Sequence, residues 1–373
     1  MRLKEAFCVL LLFAGILSAA KIPAPLYVDT RNFGSADPEI VWNENKQQWW
    51  IFYNSRRVLK DNVNGGTPLG VAFSDDLINW KFLGYCKLDG KGGTKNAPYT
   101  CWAPAIIKDG DKYHMFVTYK EGTEGFWGSG KSGIKHYIAP ADDLLNGWKS
   151  ASVDWVLQDD GAIDAGLLKK DDKWIMYYRN MYKPESGKKR SGIFRAESED
   201  LLNWEKKGLA GGDINNRKKK FLMHKDSLLP VGKGHPKAAE KRIGYQEAPY
   251  PFYWKGRYWL STDPYLWSSK DCSNWKYAGS FMFAPSSKLF DDTKGRHASF
   301  IVSRGRCLAF YHTEPYRDYS ISYQANPPEN RIMFLQCTEL KFSENQLSYE
   351  RSALPEAPKE IEPEGEYWGQ AAP

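Results

Sequence analysis

Short apolar runs occur in pairs along most of the chain, and each pair is joined by a tight polar segment. The paired runs are 38–42 with 49–53, 102–107 with 113–119, 163–168 with 174–178, 248–254 with 258–260, and 298–302 with 307–311. This pattern predicts β-hairpins, because no long stretch carries the spacing of an amphipathic helix. A further run after each pair predicts a third strand, at 66–74, 132–139, 191–198, 265–269 and 331–342.

A polar motif ending in tryptophan follows the third run four times. Residues 74–80 read SDDLINW, 141–148 ADDLLNGW, 198–204 SEDLLNW and 269–275 SKDCSNW, and the tryptophans are 68, 56 and 71 residues apart. Such self-similarity at a long period indicates radially arranged units. Five units of about four strands predict an all-β fold, a five-bladed β-propeller of four-stranded antiparallel blades. We expect the repeated aspartates and tryptophans to cap turns and pack blades.

The arrangement of turns predicts where a site would lie. If the first strand of each blade is innermost, the short turns lie on one face and the long loops on the other, and long loops on a rigid scaffold are where function concentrates. At the long-loop end the predicted inner strands begin with Asp37, Asp164, Glu247 and His297. Three carboxylates and a histidine around one axis are unfavourable unless they catalyse a reaction or bind a cation.

A set of carboxylates in a funnel suits the hydrolysis of glycosides. One carboxylate activates water and another, kept protonated by its surroundings, gives its proton to the leaving oxygen. Inverting enzymes hold the two about 6.5–9.5 Å apart and retaining enzymes about 5–5.5 Å apart. We expect the opposite sides of the funnel to give the wider, inverting separation.

The ordered strings DPEIV, CWAPAII, AIDAGLL, QEAPYPFYW and GRHASFIV resemble glycoside hydrolase family 43 and its five-bladed relatives, including family 117. The resemblance spans about residues 35–343. It implies that Asp37 is the general base, that Asp164 orients the substrate and raises the pKa of the acid, and that Glu247 is the general acid. His297 matches the family 43 histidine near the axis, which implies an axial calcium or sodium ion beside it, although no cofactor is required.

Four further residues are candidates for contacts with the substrate. Trp102 is either a platform on which a sugar stacks or a packing residue of an inner strand. Arg56 and Arg57 follow the second strand of the first unit and are natural partners of a carboxylate or sulfate, unless they lie in a solvated loop. His312 faces the same end, and His297 is either a substrate-facing histidine or a metal ligand.

Composition and charge agree with a sugar-directed protein. Aromatic residues make up 15% of the chain, which suits β-sheets and sugar-facing surfaces. The net charge of +7 permits an acidic substrate. The connector 208–246 carries nine Lys and Arg against three Asp and Glu, but without interleaved aromatic residues we expect it to be a solvated lid or a contact for acidic glycans, with no nucleic acid as partner.

Residues 1–20 have a basic start, a short apolar run and small residues before the end, as in a secretory signal peptide. We therefore expect a secreted or periplasmic monomer without a membrane partner, with the catalytic propeller at 21–352 and a loose tail at 353–373. Cys86 and Cys101 either form a disulfide or stay buried thiols. The full prediction is an inverting, exo-acting hydrolase of terminal sugars on plant or algal polysaccharide fragments. The alternative is a non-catalytic glycan-binding propeller, because Ala248 stands where family 43 has glycine.

Overall fold

The described part of the chain contains five antiparallel sheets of four strands. The computed structural model describes residues 20–56, 65–124, 130–157, 161–185, 187–216, 220–222, 240–242, 246–284 and 286–358. The predicted signal peptide, apart from residue 20, lies outside these ranges. None of the helices in the described ranges is long and apolar enough to cross a membrane.

Each blade uses four consecutive strands, and the first strand lies at one edge of its sheet. The strands of blades 1 to 5 are Ser35–Asn43, Gln48–Ser55, Leu69–Ser74 and Lys81–Tyr85; Tyr99–Asp109, Lys112–Glu121, Ser132–Pro140 and Lys149–Leu157; Ile163–Lys170, Lys173–Tyr182, Arg190–Ser198 and Glu205–Leu209; Glu247–Trp254, Arg257–Asp263, Tyr265–Ser269 and Lys276–Gly279; and Arg296–Ser303, Arg306–Thr313, Phe334–Ser343 and Gln346–Tyr349. Short strand pairs Lys87–Leu88 with Lys91–Gly92 and Lys220–Leu222 with Glu240–Arg242, and 3-10 turns at Phe281–Phe283, Tyr323–Ala325 and Pro328–Arg331, complete the elements.

The predicted all-β, five-bladed propeller of four-stranded blades is confirmed. Two third strands begin later than predicted. In blade 1 the strand begins at Leu69, after Pro68, which has no N–H for the ladder. In blade 5 it begins at Phe334, because the chain forms the 3-10 turn Pro328–Arg331 first.

The hydrophobic core is divided into five clusters, one between each pair of neighbouring blades. Strand alternation explains the division, because successive side chains point to opposite faces of a sheet. In the inner strand of blade 1, Val41 packs toward blade 2 whereas Ile40 packs toward blade 5. Both faces of every blade are therefore apolar, which accounts for the nearly continuous apolar runs in the sequence.

The ring closes between blade 5 and blade 1 with help from the segment before the first strand. The Leu26 N–H donates to the Leu335 carbonyl, and Ile22 donates to Pro355, both at 2.8 Å. The first residues of the predicted tail, up to 358, thus lie against the N-terminal segment, and Lys21 pairs with Glu356 at 3.0 Å. The rest of the predicted tail lies outside the described residues.

The repeated polar motif caps the turn between the third and fourth strands. In blade 3, Asp200 Oδ1 accepts hydrogen bonds from the N–H groups of Leu202 and Asn203 at 2.9 and 2.8 Å, and the Trp204 indole donates to the Leu201 carbonyl. The same bonds recur at Asp76 in blade 1. The expectation that these residues are structural is confirmed. Cys86 and Cys101 are free, buried thiols.

Candidate active site

The inner strand of every blade has the same irregularity near its start. There the register with the second strand shifts, and a residue other than glycine inside the shift takes a positive φ. These residues are Asp37 (φ 50°), Ala103 (44°), Asp164 (55°), Ala248 (52°) and His297 (44°). A left-handed conformation costs such a residue about 1–2 kcal/mol. All five line one cavity of about 30 Å³ at the axis, and backbone strain repeated at five equivalent positions around it makes this a candidate functional site.

The structure brings together the three carboxylates and the histidine at the starts of the inner strands. His297 Nδ1 lies 3.2 Å from Asp37 Oδ1, and its Nε2 lies 3.6 Å from Glu247 Oε1 and 4.0 Å from Asp164 Oδ2. The two nitrogens of an imidazole are about 2.2 Å apart, so these oxygens of Asp37 and Glu247 are at most about 9 Å apart. Both carboxylates are therefore within reach of one glycosidic bond.

The charges in this group depend on one another. Burial by itself would lower the pKa of His297, but the carboxylates of Asp37, Asp164 and Glu247 raise it to about 9. Burial raises the pKa of Asp164 to about 6; the His297 charge opposes this rise, whereas Glu247 and Asp37 add to it. At neutral pH His297 is thus an imidazolium that faces all three acidic groups.

Two polar residues at the ends of second strands hold Asp37. The Asn54 side-chain amide donates to Asp37 Oδ2, and Asn54 Oδ1 accepts from the Ala103 N–H at 2.9 Å. His312 Nδ1 accepts from the Asp37 N–H at 3.1 Å. Burial, followed by the charges of His297, Arg296 and Arg56, lowers the pKa of His312 far below its usual range. Asn54 and a neutral His312 are therefore positioning residues for Asp37.

Glu247 lies among cations that the sequence interpretation did not identify as site residues. Arg296 donates to Glu247 Oε1 and also to Asp263 Oδ2, the latter at 3.0 Å. Lys294 Nζ lies 2.9 Å from Asp263 Oδ1. Cations next to a carboxylate stabilise its ionised form, whereas a general acid must be protonated before it acts. Arg296 immediately precedes His297, so its position on the inner strand was the available signal.

Glu39 is a second group that the sequence interpretation missed. It lines the axial cavity, is 2% exposed, and its Oε1 accepts from the Ile106 N–H of blade 2 at 3.0 Å. Burial raises its pKa well above the usual range. A neutral carboxyl thus joins the inner strands of blades 1 and 2. A glutamate inside an otherwise apolar inner strand was its signal in the sequence.

The remaining predicted residues lie at the same end. Trp102 is half-buried on the inner strand of blade 2, next to Ala103, and pairs with Thr118. The Thr118 hydroxyl in turn accepts from the Asp164 N–H at 2.8 Å. Arg56 is half-buried and follows the second strand of blade 1. Arg57 lies outside the described residues.

The donor set does not by itself fit a calcium ion, one of the two axial ions that the resemblance suggests. One ligand atom each from Asp164, Glu247 and His297 lie within 4.8 Å of one another. Calcium takes six to eight oxygen ligands, and this group offers two carboxylate oxygens and a nitrogen. Both His297 nitrogens face carboxylates, so a protonated ring already supplies the positive charge. We therefore derive no step through an ion.

Comparisons with known proteins show which solved structures share this fold. No protein-family model matches the chain, and no curated protein sequence matches it. Among solved structures, a thermostable family 43 glycoside hydrolase is 16% identical with a TM-score of 0.58, over 90% of this chain and all of that one. A family 43 β-xylosidase/α-arabinofuranosidase from a compost microbial metagenome, in complex with xylotriose, is 13% identical with a TM-score of 0.54, over 89% of this chain and 97% of that one.

A family 117 glycoside hydrolase of the marine bacterium Zobellia galactanivorans is also similar. It is 14% identical with a TM-score of 0.51, over 86% of this chain and 89% of that one. At such identities the likeness concerns the fold and not the activity. The chain thus has the five-bladed propeller fold seen in glycoside hydrolases of families 43 and 117.

Proposed function

We propose that this protein is a glycosidase that hydrolyses an O-glycosidic bond across the mouth of the axial cavity. The main observation behind the proposal is that Asp37 and Glu247 lie next to the two nitrogens of the same imidazole, that of His297. Strained backbone at both inner-strand starts supports it, because such strain concentrates where groups must be held for reaction. The fold similarity to glycoside hydrolases agrees with it.

In this proposal Asp37 is the base that removes a proton from the attacking water. Asn54 holds Oδ2 of its carboxylate and His312 accepts from its backbone N–H, which leaves Oδ1, next to His297 Nδ1, to take the proton from the water. Glu247 gives a proton to the leaving oxygen. Asp164, whose pKa of about 6 lets it carry a proton near neutrality, shares the His297 Nε2 edge with Glu247 and tunes this acid.

The finer features of the proposal are an inverting mechanism, exo-action on terminal sugars of plant or algal fragments, and export. The separation of at most about 9 Å between the Asp37 and Glu247 oxygens is compatible with the range of about 6.5–9.5 Å in inverting enzymes. The xylotriose complex of the compost enzyme and the marine source of the family 117 enzyme support a plant or algal glycan. The sequence features of residues 1–20 support export.

The roles of the two carboxylates can be separated with two amide variants and two kinds of substrate. We expect Asp37→Asn to lose about 10²–10⁴-fold in kcat on every substrate, because activation of water is always needed. We expect Glu247→Gln to lose as much on natural oligosaccharides but to keep most activity on aryl glycosides whose leaving group needs no proton. Asp172→Asn, in an exposed turn, is the matched control. Equal activity of all three variants would refute the assignment.

The contact between Arg296 and Glu247 favours one other function. A carboxylate held ionised by Arg296 and His297 cannot protonate a leaving group, and the funnel would then only bind glycans. In that case the wild-type protein binds oligosaccharides in calorimetry but releases no reducing sugar from any of them. Anomer-resolved NMR on a hydrolysed substrate would instead establish both the activity and its stereochemistry.

A further inference from the structure

Arg56 is a half-buried cation that the proposed reaction does not use. It follows Asn54 by two residues, so both side chains lie on the same side of the extended chain, the side on which Asn54 contacts Asp37. Its charge interacts with Asp37 and Glu314. Its Nε is buried and has no hydrogen-bond partner among the described residues. A guanidinium in this state lacks the partner that burial normally requires.

Three arginine side chains, including Arg56, lie around the ring of Tyr323 in the long loop of blade 5. The guanidinium carbons of Arg56, Arg317 and Arg331 lie 5.9, 4.9 and 5.0 Å from the centre of its ring. Arg331 is occupied by carbonyl oxygens of the same loop. Arg317 pairs with Glu314 at 2.7 Å. Within the described residues, Glu314 is the one carboxylate within 4 Å of any of these three guanidiniums, so Arg56 has no direct acidic partner there.

His312 contributes a neutral hydrogen-bond donor near Arg56. Because its Nδ1 accepts the Asp37 N–H, its other nitrogen, Nε2, carries the hydrogen. This nitrogen is buried and has no hydrogen-bond partner within the described part of the chain. Arg56 lies close enough to help lower the pKa of the ring. Two unsatisfied donors, one charged and one neutral, thus lie next to the base Asp37.

We propose that Arg56 and His312 form a subsite for an anionic substituent, a carboxylate or sulfate, on the sugar whose bond is cleaved. Arginine suits such groups because its planar fork can donate two parallel hydrogen bonds to two oxygens. The anion would satisfy the Arg56 guanidinium and offset the repulsion from Asp37. This assignment rests on the proposed function, since it places the sugar against Asp37, and it names an acidic sugar as the substrate class.

The test compares acidic oligosaccharides with the same molecules after chemical reduction of their carboxyl groups, together with sulfated oligosaccharides and their desulfated forms. The proteins are the wild type, Arg56→Met, Arg56→Lys, and Arg304→Met as a control in an exposed turn between the first two strands of blade 5. Thermal unfolding of each variant checks that it is folded. Hydrolysis and calorimetric binding are both measured, and the uronate and sulfate series show which anion the subsite takes.

The expected result is a preference for one anionic series over its neutral counterpart. Arg56→Met should raise KM or Kd for that series by about 10- to 100-fold, the range for a lost charged hydrogen-bond partner. On the neutral series its effect should be much smaller, because there it acts only through the charges of Asp37 and His312. Arg56→Lys should recover part of the loss, and Arg304→Met should lose nothing.

Three other outcomes are informative. Hydrolysis of neutral glycans with no anionic preference would overturn the subsite and leave the glycosidase proposal intact. Binding of acidic glycans without hydrolysis, weakened by Arg56→Met, would support the subsite and overturn the glycosidase proposal. If the protein neither binds nor hydrolyses any of the anionic glycans, the subsite is refuted.

Discussion

The charge of His297 should make the stability of the folded protein depend on pH in a defined window. Its pKa is about 9 in the folded state, against about 6.5 in an unfolded chain. The folded state therefore holds a proton that the unfolded state releases. The resulting stabilisation is complete below pH 6.5 and disappears as the pH rises toward 9.

The slope expected for one proton is about 1.4 kcal/mol per pH unit, so the free energy of unfolding should fall by about 2 kcal/mol between pH 6.5 and 8. The raised pKa of Asp164, about 6, acts at lower pH: it lowers stability as the pH rises from about 4 to 6. The pKa of His312 is depressed, so this residue lowers the stability of the folded protein only below pH 6.5. Buried cysteines, whose pKa burial raises, contribute only above about pH 8. Glu39, whose pKa burial raises well above its usual range, also destabilises the folded protein as the pH rises, so the contribution of His297 is the part of the slope that its substitution removes.

Guanidinium unfolding at several pH values across this window measures the slope. We expect His297→Gln to reduce it by about 1.4 kcal/mol per pH unit, the share of one proton. His114→Gln should keep it, because burial lowers the pKa of His114 and its contribution lies below pH 6.5. NMR of the histidine Cε1 carbons should show one ring that titrates near pH 9 in the wild type and is absent from His297→Gln. A flat wild-type profile, or an equal slope in His297→Gln, would refute the account of the site's electrostatics.

Two further predictions follow from the axis. Removal of divalent cations with EDTA should leave the melting temperature and any glycosidase activity unchanged, because the imidazolium of His297 supplies the positive charge at the axis. A drop of several degrees in the melting temperature that added calcium reverses would contradict this. Gly166→Ala should destabilise the fold by about 1–3 kcal/mol in denaturant titrations, since a Cβ there would lie 2.0 Å from the Pro249 carbonyl oxygen. It should also lower kcat, because the two strands carry Asp164 and Glu247, and unchanged kinetics would show that the site tolerates their displacement.

Paired apolar runs were sufficient to predict the five blades, because burial on both faces of a strand is a local property of its sequence. The five pairs gave the number of blades, and the motif that recurs four times forms capping turns that depend only on residues two or three apart. The same regularity put Asp37, Asp164, Glu247 and His297 at equivalent strand starts. These features belong to the sequence alone.

The contacts among the side chains of the site form only when the five blades close into a ring. Asn54, Glu39 and Arg296 act through partners in other strands or blades, and a sequence does not display such contacts. The pairing of Arg296 with Glu247, and the proton that His297 holds among three carboxylates, depend on distances of a few ångströms. Electrostatic energy falls with distance and with solvent screening, so charges far apart in the chain define a site only after folding brings them together away from water.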